Sequence, residues 1–175
     1  NNAGASWGEP IDEYSEKGWD KVMDTNVKGV FFLTQQLLPK LRESGSAEDP
    51  SRVINIGSID GIKTGTFDAF SYGPSKAALH HLTRVLAASL VKENIIVNAI
   101  APGFFVGNQN RALLLNEDGS YTDRGDTIIR NTPMKRFGEA EELNGAIHFL
   151  CSEAAKFITG VVLPIDGGFS AFSGV

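Results

Sequence analysis

The sequence has few of the residues that form disulfides or bind transition metals. Cys151 is the single cysteine among the 175 residues, so an internal disulfide is excluded. It lies among apolar residues of a helical pattern, where a small buried side chain is expected rather than a nucleophile or a metal ligand. His80 and His81 are adjacent and project from different faces of a helix, which disfavours a metal site shared with the distant His148.

Long apolar runs and basic clusters are also missing. No uninterrupted apolar stretch reaches the ~18 residues of a membrane span, and no signal segment opens the chain. A net charge of −5 without a cluster of Lys and Arg argues against a nucleic-acid surface. Residues 117–123 are acidic but lack the alternating ligands of a calcium loop. We therefore expect a cytoplasmic protein with one domain, spanning residues 1–175.

Predicted helices and strands alternate along the chain. Apolar residues at helical spacing predict helices over residues 20–42, 71–92 and 139–152. Short apolar runs predict buried strands over residues 52–58, 94–101 and 161–166. Strands joined by helical crossovers pair in parallel, so the fold class is α/β. Residues 104–136 are less regular, with one short helical candidate at 110–116, and are expected to form a lid.

Ser58, Tyr72 and Lys76 are the main candidates for chemistry. Ser58 ends a predicted strand, and Tyr72 and Lys76 lie four residues apart at the start of a helix, on one face. A neighbouring ammonium is expected to lower the pKa of a phenol from about 10 toward the range of an acid or base. Ser58 alone also fits a turn hydroxyl, and i,i+4 pairs are frequent on exposed helix faces. The combination indicates an active site.

Two further features each have two interpretations. Asn26 lies inside a predicted helix, where its side chain either faces solvent or serves a site. Glycines follow two strands, at Gly103 and at Gly167–Gly168. They either end the strands or let a flat ligand approach the backbone at the carboxyl edge of the sheet.

Together these motifs resemble the classical short-chain dehydrogenase/reductase family. The matching residues run in register along nearly the whole chain: Asn1-Asn2-Ala3-Gly4, Asn26, Ser58, Tyr72, Lys76, Pro102-Gly103, the turn from Pro133 to Gly138, and Asp166-Gly167-Gly168. The resemblance implies a Rossmann-like doubly wound parallel sheet. The family's glycine-rich phosphate turn has no counterpart here, so the chain is expected to be N-terminally incomplete and to lack the N-terminal βαβ cofactor half. Residues 1–175 would then be the C-terminal catalytic part, and would bind a dinucleotide poorly by themselves.

The resemblance also implies an activity. The protein would be an NAD(P)-dependent oxidoreductase that transfers a hydride between NAD(P)(H) and a carbonyl/alcohol substrate. Tyr72 would act as the acid in reduction and the base in oxidation, and Ser58 would hydrogen-bond the substrate oxygen. Lys76 would lower the pKa of the phenol and bond the nicotinamide ribose. Asn26 would hold a water that links Lys76 to solvent.

Cofactor contacts follow from the same resemblance, with NADP favoured over NAD. They are expected at Asn2, Ala3, Gly4, Tyr72, Lys76, Pro102, Gly103 and Phe105. One departure concerns the carboxamide, since Gly107 stands where the family usually has Thr, and Asn108 is the nearest substitute.

Other functions and partners stay open at this point. Relatives of this fold include epimerases and dehydratases, and the chain could also be an inactive fragment of a dehydrogenase. The Pro-Gly turn and the Asp-Gly-Gly motif favour the oxidoreductase, and 3-oxoacyl groups, polyols and sugar acids are all possible substrates. The small-residue face of residues 77–90 resembles the helix with which family members build homodimers or homotetramers, although packing on its own sheet explains part of it equally well.

Overall fold

The computed structural model describes residues 1–65, 68–108 and 110–174. Thr66, Phe67 and Gln109, which fall in predicted loops, and the terminal Val175 lie outside the described residues. The strands β1 (Ser51–Ile56), β2 (Ile95–Pro102) and β3 (Val162–Ile165) form a parallel sheet in the order β1-β2-β3. The predicted α/β class and the parallel pairing are confirmed.

Helices connect and flank these strands. They are α1 (Glu16–Met23), α2 (Gly29–Ser44), α3 (Tyr72–Leu90), α4 (Arg111–Leu114), α5 (Asp123–Asn131) and α6 (Glu142–Cys151). The predicted helix over residues 20–42 is in fact two helices, joined by a π-helical turn at Asp24–Lys28. Helix α5 was not predicted because most of its residues are polar; Thr122 caps it by accepting a hydrogen bond from the backbone N–H of Gly125 at 3.1 Å.

The core lies between the sheet and the helices α2 and α3. Its buried members are Val53, Leu86, Ala87, Leu90, Ile95 and Val97, with Leu38, Leu41 and Leu82 packed against them. Every residue of β2 from Ile95 to Ala101 is buried, as expected for a parallel strand covered on both faces. Helix α6 contacts both β1 and β2. These helices position the carboxyl ends of the strands, where the candidate residues lie.

Cys151 does not occupy the buried position expected for it. The structure leaves it exposed, while the preceding Leu150 is buried. Successive residues of a helix are rotated by about 100°, so Leu150 faces the core and Cys151 faces away from it.

The opening turn is attached to the sheet by polar contacts. The terminal amine of Asn1 donates to the Ile54 carbonyl at 2.9 Å, and the Ile56 N–H donates to the Asn1 carbonyl at 3.0 Å. The Asn1 amide donates to Asn55 Oδ1 at 2.8 Å, and the Asn55 amide donates to Thr83 Oγ1 on α3 at 2.9 Å. Residues 2–5 are thereby held near the carboxyl end of β1.

Candidate active site

Ser58 lies two residues beyond the end of β1 and is buried. Its Oγ accepts a hydrogen bond from the backbone N–H of Asp60 at 3.2 Å. Ser58 thereby caps a short 3₁₀ turn at Ile59–Gly61. The same side chain also interacts with the phenol of Tyr72. The two interpretations of Ser58 are therefore compatible, because a turn hydroxyl here also faces the predicted acid.

Tyr72 and Lys76 lie on one face of α3, as predicted. Helix α3 begins at Tyr72, and Lys76 Nζ is 5.6 Å from the centre of the Tyr72 ring. Lys76 is 5% exposed, and its Nζ donates to the Ile56 carbonyl at 2.9 Å. A hydroxyl, a phenol and an amine thus meet at the carboxyl end of β1.

The acid-base properties of this group differ from the sequence prediction. Burial raises the pKa of Tyr72; the Ser58 hydroxyl lowers it in part, and the Asp60 carboxylate raises it further. The expected lowering by Lys76 is therefore not what the structure shows, because loss of solvent around the phenol dominates. Burial also lowers the pKa of Lys76 to about 8. At neutral pH the phenol is protonated, which is the form a general acid needs.

Asn26 lies in the π-helical turn and is completely buried, so the solvent-facing interpretation is wrong. Its Oδ1 accepts from the Ala5 N–H at 2.8 Å, and its amide donates to the Ala5 carbonyl and to Ser75 Oγ, both at 2.9 Å. π-Helical turns of this kind are frequent at functional sites. Asn26 fixes the opening segment against α3, and its role in a proton relay stays a prediction.

The opening segment passes beside the lysine. A Cβ added to Gly4 would lie 3.7 Å from Asn26 Oδ1 and 3.9 Å from Lys76 Nζ. Asn2, Ala3 and Gly4 are exposed, whereas Lys76 is buried behind them. Small exposed residues next to a buried ammonium fit the approach of a flat cofactor, so the residues present here are compatible with NAD(P).

Gly103 follows β2 and packs against another loop. A Cβ at this position would lie 2.7 Å from Asp166 Cα, and the Gly103 N–H donates to the Ile165 carbonyl at 2.9 Å. The glycine therefore permits two strand-end loops to touch, which accounts for it without a ligand. The next residues form a bridge between Phe105 and Gly138, and Asn110 closes the turn by donating to the Phe105 carbonyl at 2.8 Å.

The Asp166-Gly167-Gly168 motif also forms a turn. Gly167 and Gly168 have φ values of 62° and 88°, a region that favours glycine. The Asp166 carboxylate accepts hydrogen bonds from the backbone N–H groups of Gly168 and Ser170, at 2.9 and 2.8 Å. The strand-ending interpretation is thus sufficient here, and contacts of Pro102, Gly103 and Phe105 with a cofactor stay predictions.

His80 supports Ser58 from behind, a role that the sequence did not indicate. It is 3% exposed, and its Nε2 accepts a hydrogen bond from the Ser58 N–H at 3.3 Å. A Cβ at Gly57 would lie 2.2 Å from Nε2, so the glycine makes room for the imidazole. Burial lowers the pKa of His80 to about 4. The spacing of Gly57 and Gly61 around Ser58 is the one signal of such a close approach in the sequence.

Protonation of His80 is expected to destabilise the fold between pH 6.5 and 4. The pKa of His80 falls from an ordinary 6.5 to about 4 in the folded protein, so the unfolded chain takes up the proton more readily in this window. The contribution of His80 to the free energy of unfolding is fully present above pH 6.5. It decreases by about 3 kcal/mol as the pH falls toward 4. Urea unfolding of the wild type and of His80→Gln, measured across this range, checks the prediction. The loss should be clearly smaller in the variant, and equal losses would contradict it.

Asp60 and Arg124 line the same cleft as Tyr72, and the sequence did not predict either of them as a site residue. Together with Tyr72 they line a cleft of about 600 Å³, named the Tyr72 cleft, whose wall also includes Ser6, Thr64, Asp68 and Phe70. Arg124 belongs to α5, so the predicted lid segment does contribute to the site. The polar sequence of α5 has no motif that predicts the position of Arg124 in the Tyr72 cleft.

Metal clusters and membrane-spanning helices are both absent from the described ranges. Among residues 1–65, 68–108 and 110–174, no three His, Cys, Asp or Glu side chains are grouped so that they could hold a metal ion. Within the same part of the chain, no helix has the length and apolar character needed to cross a membrane.

Comparison with known proteins covers almost the whole chain. Residues 1–170 match the family model described as Enoyl-(Acyl carrier protein) reductase. The chain is 48% identical over 169 residues to the rhamnolipids biosynthesis 3-oxoacyl-[acyl-carrier-protein] reductase of Pseudomonas aeruginosa, covering 97% of this chain and 64% of that protein. The chain thus spans somewhat less than two thirds of that relative.

Solved structures agree with the fold. The Pseudomonas aeruginosa RhlG/NADP active-site complex has a TM-score of 0.88 at 47% identity, with 96% of this chain and 64% of that chain covered. A putative D-mannonate oxidoreductase from Haemophilus influenza with bound NAD has a TM-score of 0.86 at 38% identity, with 99% and 67% covered. Because the family model, the relatives and the solved structures all agree, the chain belongs to the short-chain dehydrogenase/reductase family.

Proposed function

We propose that the protein is an NAD(P)(H)-dependent oxidoreductase acting on a carbonyl/alcohol pair. The observation that carries the proposal is the meeting of Ser58, Tyr72 and Lys76 at the carboxyl end of β1. Ligands of open parallel sheets bind at this edge. The relatives, which are named as a reductase and an oxidoreductase, support the same class of reaction.

Each of the three side chains has a distinct role in the proposed reduction. The chemistry that a nicotinamide would supply, if bound beside Lys76, is a hydride for the carbonyl carbon. Tyr72 donates its phenolic proton to the carbonyl oxygen, and the raised pKa keeps that proton in place at neutral pH. Ser58 donates a hydrogen bond to the same oxygen and stabilises the negative charge that develops there. Lys76 places an ammonium next to the phenol and the proposed ribose site.

We propose that the cofactor is held by the residues predicted from the sequence. Asn2, Ala3 and Gly4 provide an exposed backbone beside Lys76, which supports a role on the adenosine side. Pro102, Gly103 and Phe105 lie at the carboxyl end of β2, where the carboxamide is proposed to bind. One relative is solved with NADP and another with NAD, so the preference for NADP stays a prediction.

The full gene product is expected to oxidise NADPH or NADH when supplied with a suitable ketone. The assay follows the loss of reduced-nicotinamide absorbance with carbonyl compounds in one direction and alcohols in the other. Stoichiometric formation of the alcohol would agree with the proposal. Epimerisation or loss of water without net consumption of the reduced cofactor would contradict it and favour the alternative enzymes of this fold.

We propose a homodimer or homotetramer as the assembled form. Exposed apolar side chains on two helices support this: Val85 of α3 is 47% exposed, and Phe32 and Leu33 of α2 are 48% and 50% exposed. The solution mass of the full gene product, measured by light scattering, tests it. The cytoplasmic location and the assignment of residues 1–175 to one domain stay predictions.

A further inference from the structure

The Tyr72 cleft has charged walls close to the phenol. Asp60 and Arg124 both line it. Burial raises the pKa of Asp60, and the positive charge of Arg124 partly opposes this rise. Ser6 and Thr64 add hydroxyl groups. The volume of about 600 Å³ lies within the range of small-molecule sites. Charges in this position restrict which substrates can reach Tyr72.

Asp60 connects the parts of the cleft. Its backbone N–H donates to Ser58 Oγ at 3.2 Å, and its carboxylate is close enough to Tyr72 to raise the pKa of the phenol. The side chain is therefore within reach of a substrate whose carbonyl lies between Ser58 and Tyr72. With the guanidinium of Arg124 favouring its charged form against burial, the Asp60 carboxylate when ionised accepts hydrogen bonds from substrate groups that donate them, such as hydroxyls.

The position of Arg124 is fixed because it lies on α5, which packs closely against α4. It lies in the first turn of α5, which Thr122 caps through the Gly125 N–H at 3.1 Å. A Cβ at Gly125 would lie 2.3 Å from the Leu114 carbonyl oxygen, so α5 packs tightly on α4 at this point. A guanidinium has five N–H donors, enough to interact with Asp60 and with a second carboxylate at once.

We propose that Arg124 binds the carboxylate of a small polyhydroxylated keto acid, and that Asp60 accepts hydrogen bonds from its hydroxyls. The inference rests on the proposed oxidoreductase function and names its substrate class, a sugar acid with its carbonyl at Tyr72 and Ser58. A long acyl chain fits this cleft poorly. It would remove water from Asp60 and Arg124 and provide no polar groups in exchange.

The test compares charged and neutral substrates of equal size. The full gene product is assayed with the 2-keto and 5-keto derivatives of D-gluconate, with the neutral ketohexoses D-fructose and L-sorbose, and with an acetoacetyl thioester. The wild type should prefer a keto acid. Arg124→Gln should lower kcat/KM for that acid by about ten- to a hundredfold, chiefly through KM, and leave the neutral ketohexoses within about threefold.

A matched control is available on the same helix. Arg130 is exposed and does not line the cleft, so Arg130→Gln makes the same charge change and should leave all substrates within about twofold. Arg124→Lys should restore part of the acid preference, because it keeps the charge without the planar fork. Melting temperatures of all variants verify that each is folded.

The outcomes separate this inference from the proposed function. The inference would be overturned if Arg124→Gln lowered kcat/KM equally for the keto acids and the neutral ketohexoses. It would also be overturned if the wild type reduced the thioester best. In both cases the proposed oxidoreductase function would stand. Reduction of none of these compounds would overturn the inference alone, and the proposed function would fall only if the wider assay with carbonyl compounds and alcohols also showed no turnover of the nicotinamide.

Discussion

Tyr72→Phe in the full gene product is expected to lower kcat/KM for carbonyl reduction by about 10²- to 10⁴-fold, the usual contribution of a general acid. The change removes one oxygen and keeps the ring. The phenol is the group whose burial and neighbours hold its proton at neutral pH. Steady-state kinetics with the preferred ketone provide the measurement.

A second tyrosine provides the matched control. Tyr121 is 40% exposed in the lid segment and packs edge-to-face on Phe137, so Tyr121→Phe should leave kcat/KM within about twofold. NADPH affinity should be unchanged in Tyr121→Phe, because Tyr121 is not among the predicted cofactor contacts. A loss of less than tenfold in Tyr72→Phe would show that the proton comes from elsewhere.

Lys76→Met is expected to lower activity and at the same time raise stability at neutral pH. Burial lowers the pKa of Lys76 from 10.5 to about 8, which corresponds to a penalty of about 3 kcal/mol for holding the charged form in the folded protein. Methionine removes this penalty and leaves the Ile56 carbonyl without its donor, at a cost of about 1–2 kcal/mol. The net gain is then about 1–2 kcal/mol.

The pH dependence of this gain identifies its cause. Because the folded pKa lies below the unfolded one, the wild type carries the whole penalty below pH 8, and the penalty shrinks as the pH rises to 10.5. Urea unfolding of wild type and Lys76→Met should therefore differ most at pH 7 and progressively less above pH 8. Lys92→Met, at an exposed position, should show no such trend. A gain that does not change with pH would point to better packing instead.

The sequence by itself determined the order of elements and the position of the reacting groups. Buried parallel strands read as continuous apolar runs, and α3 and α6 have apolar residues at helical spacing, so their approximate bounds followed from local patterns. Tyr72 and Lys76 share a face because helix geometry alone places residues i and i+4 together. Family motifs placed Asn26 in the site although local propensity left its exposure open.

The tertiary structure decided the properties that depend on burial and on contacts between distant residues. The pKa of Tyr72 rises rather than falls because packing removes its water, which spacing along α3 does not reveal. His80 reaches Ser58 from 22 positions away, and Arg124 reaches the Tyr72 cleft from a segment without periodicity. Helix rotation likewise exposed Cys151. Such properties arise from three-dimensional neighbours, so a local pattern could predict the chemical groups of the site but not their environment.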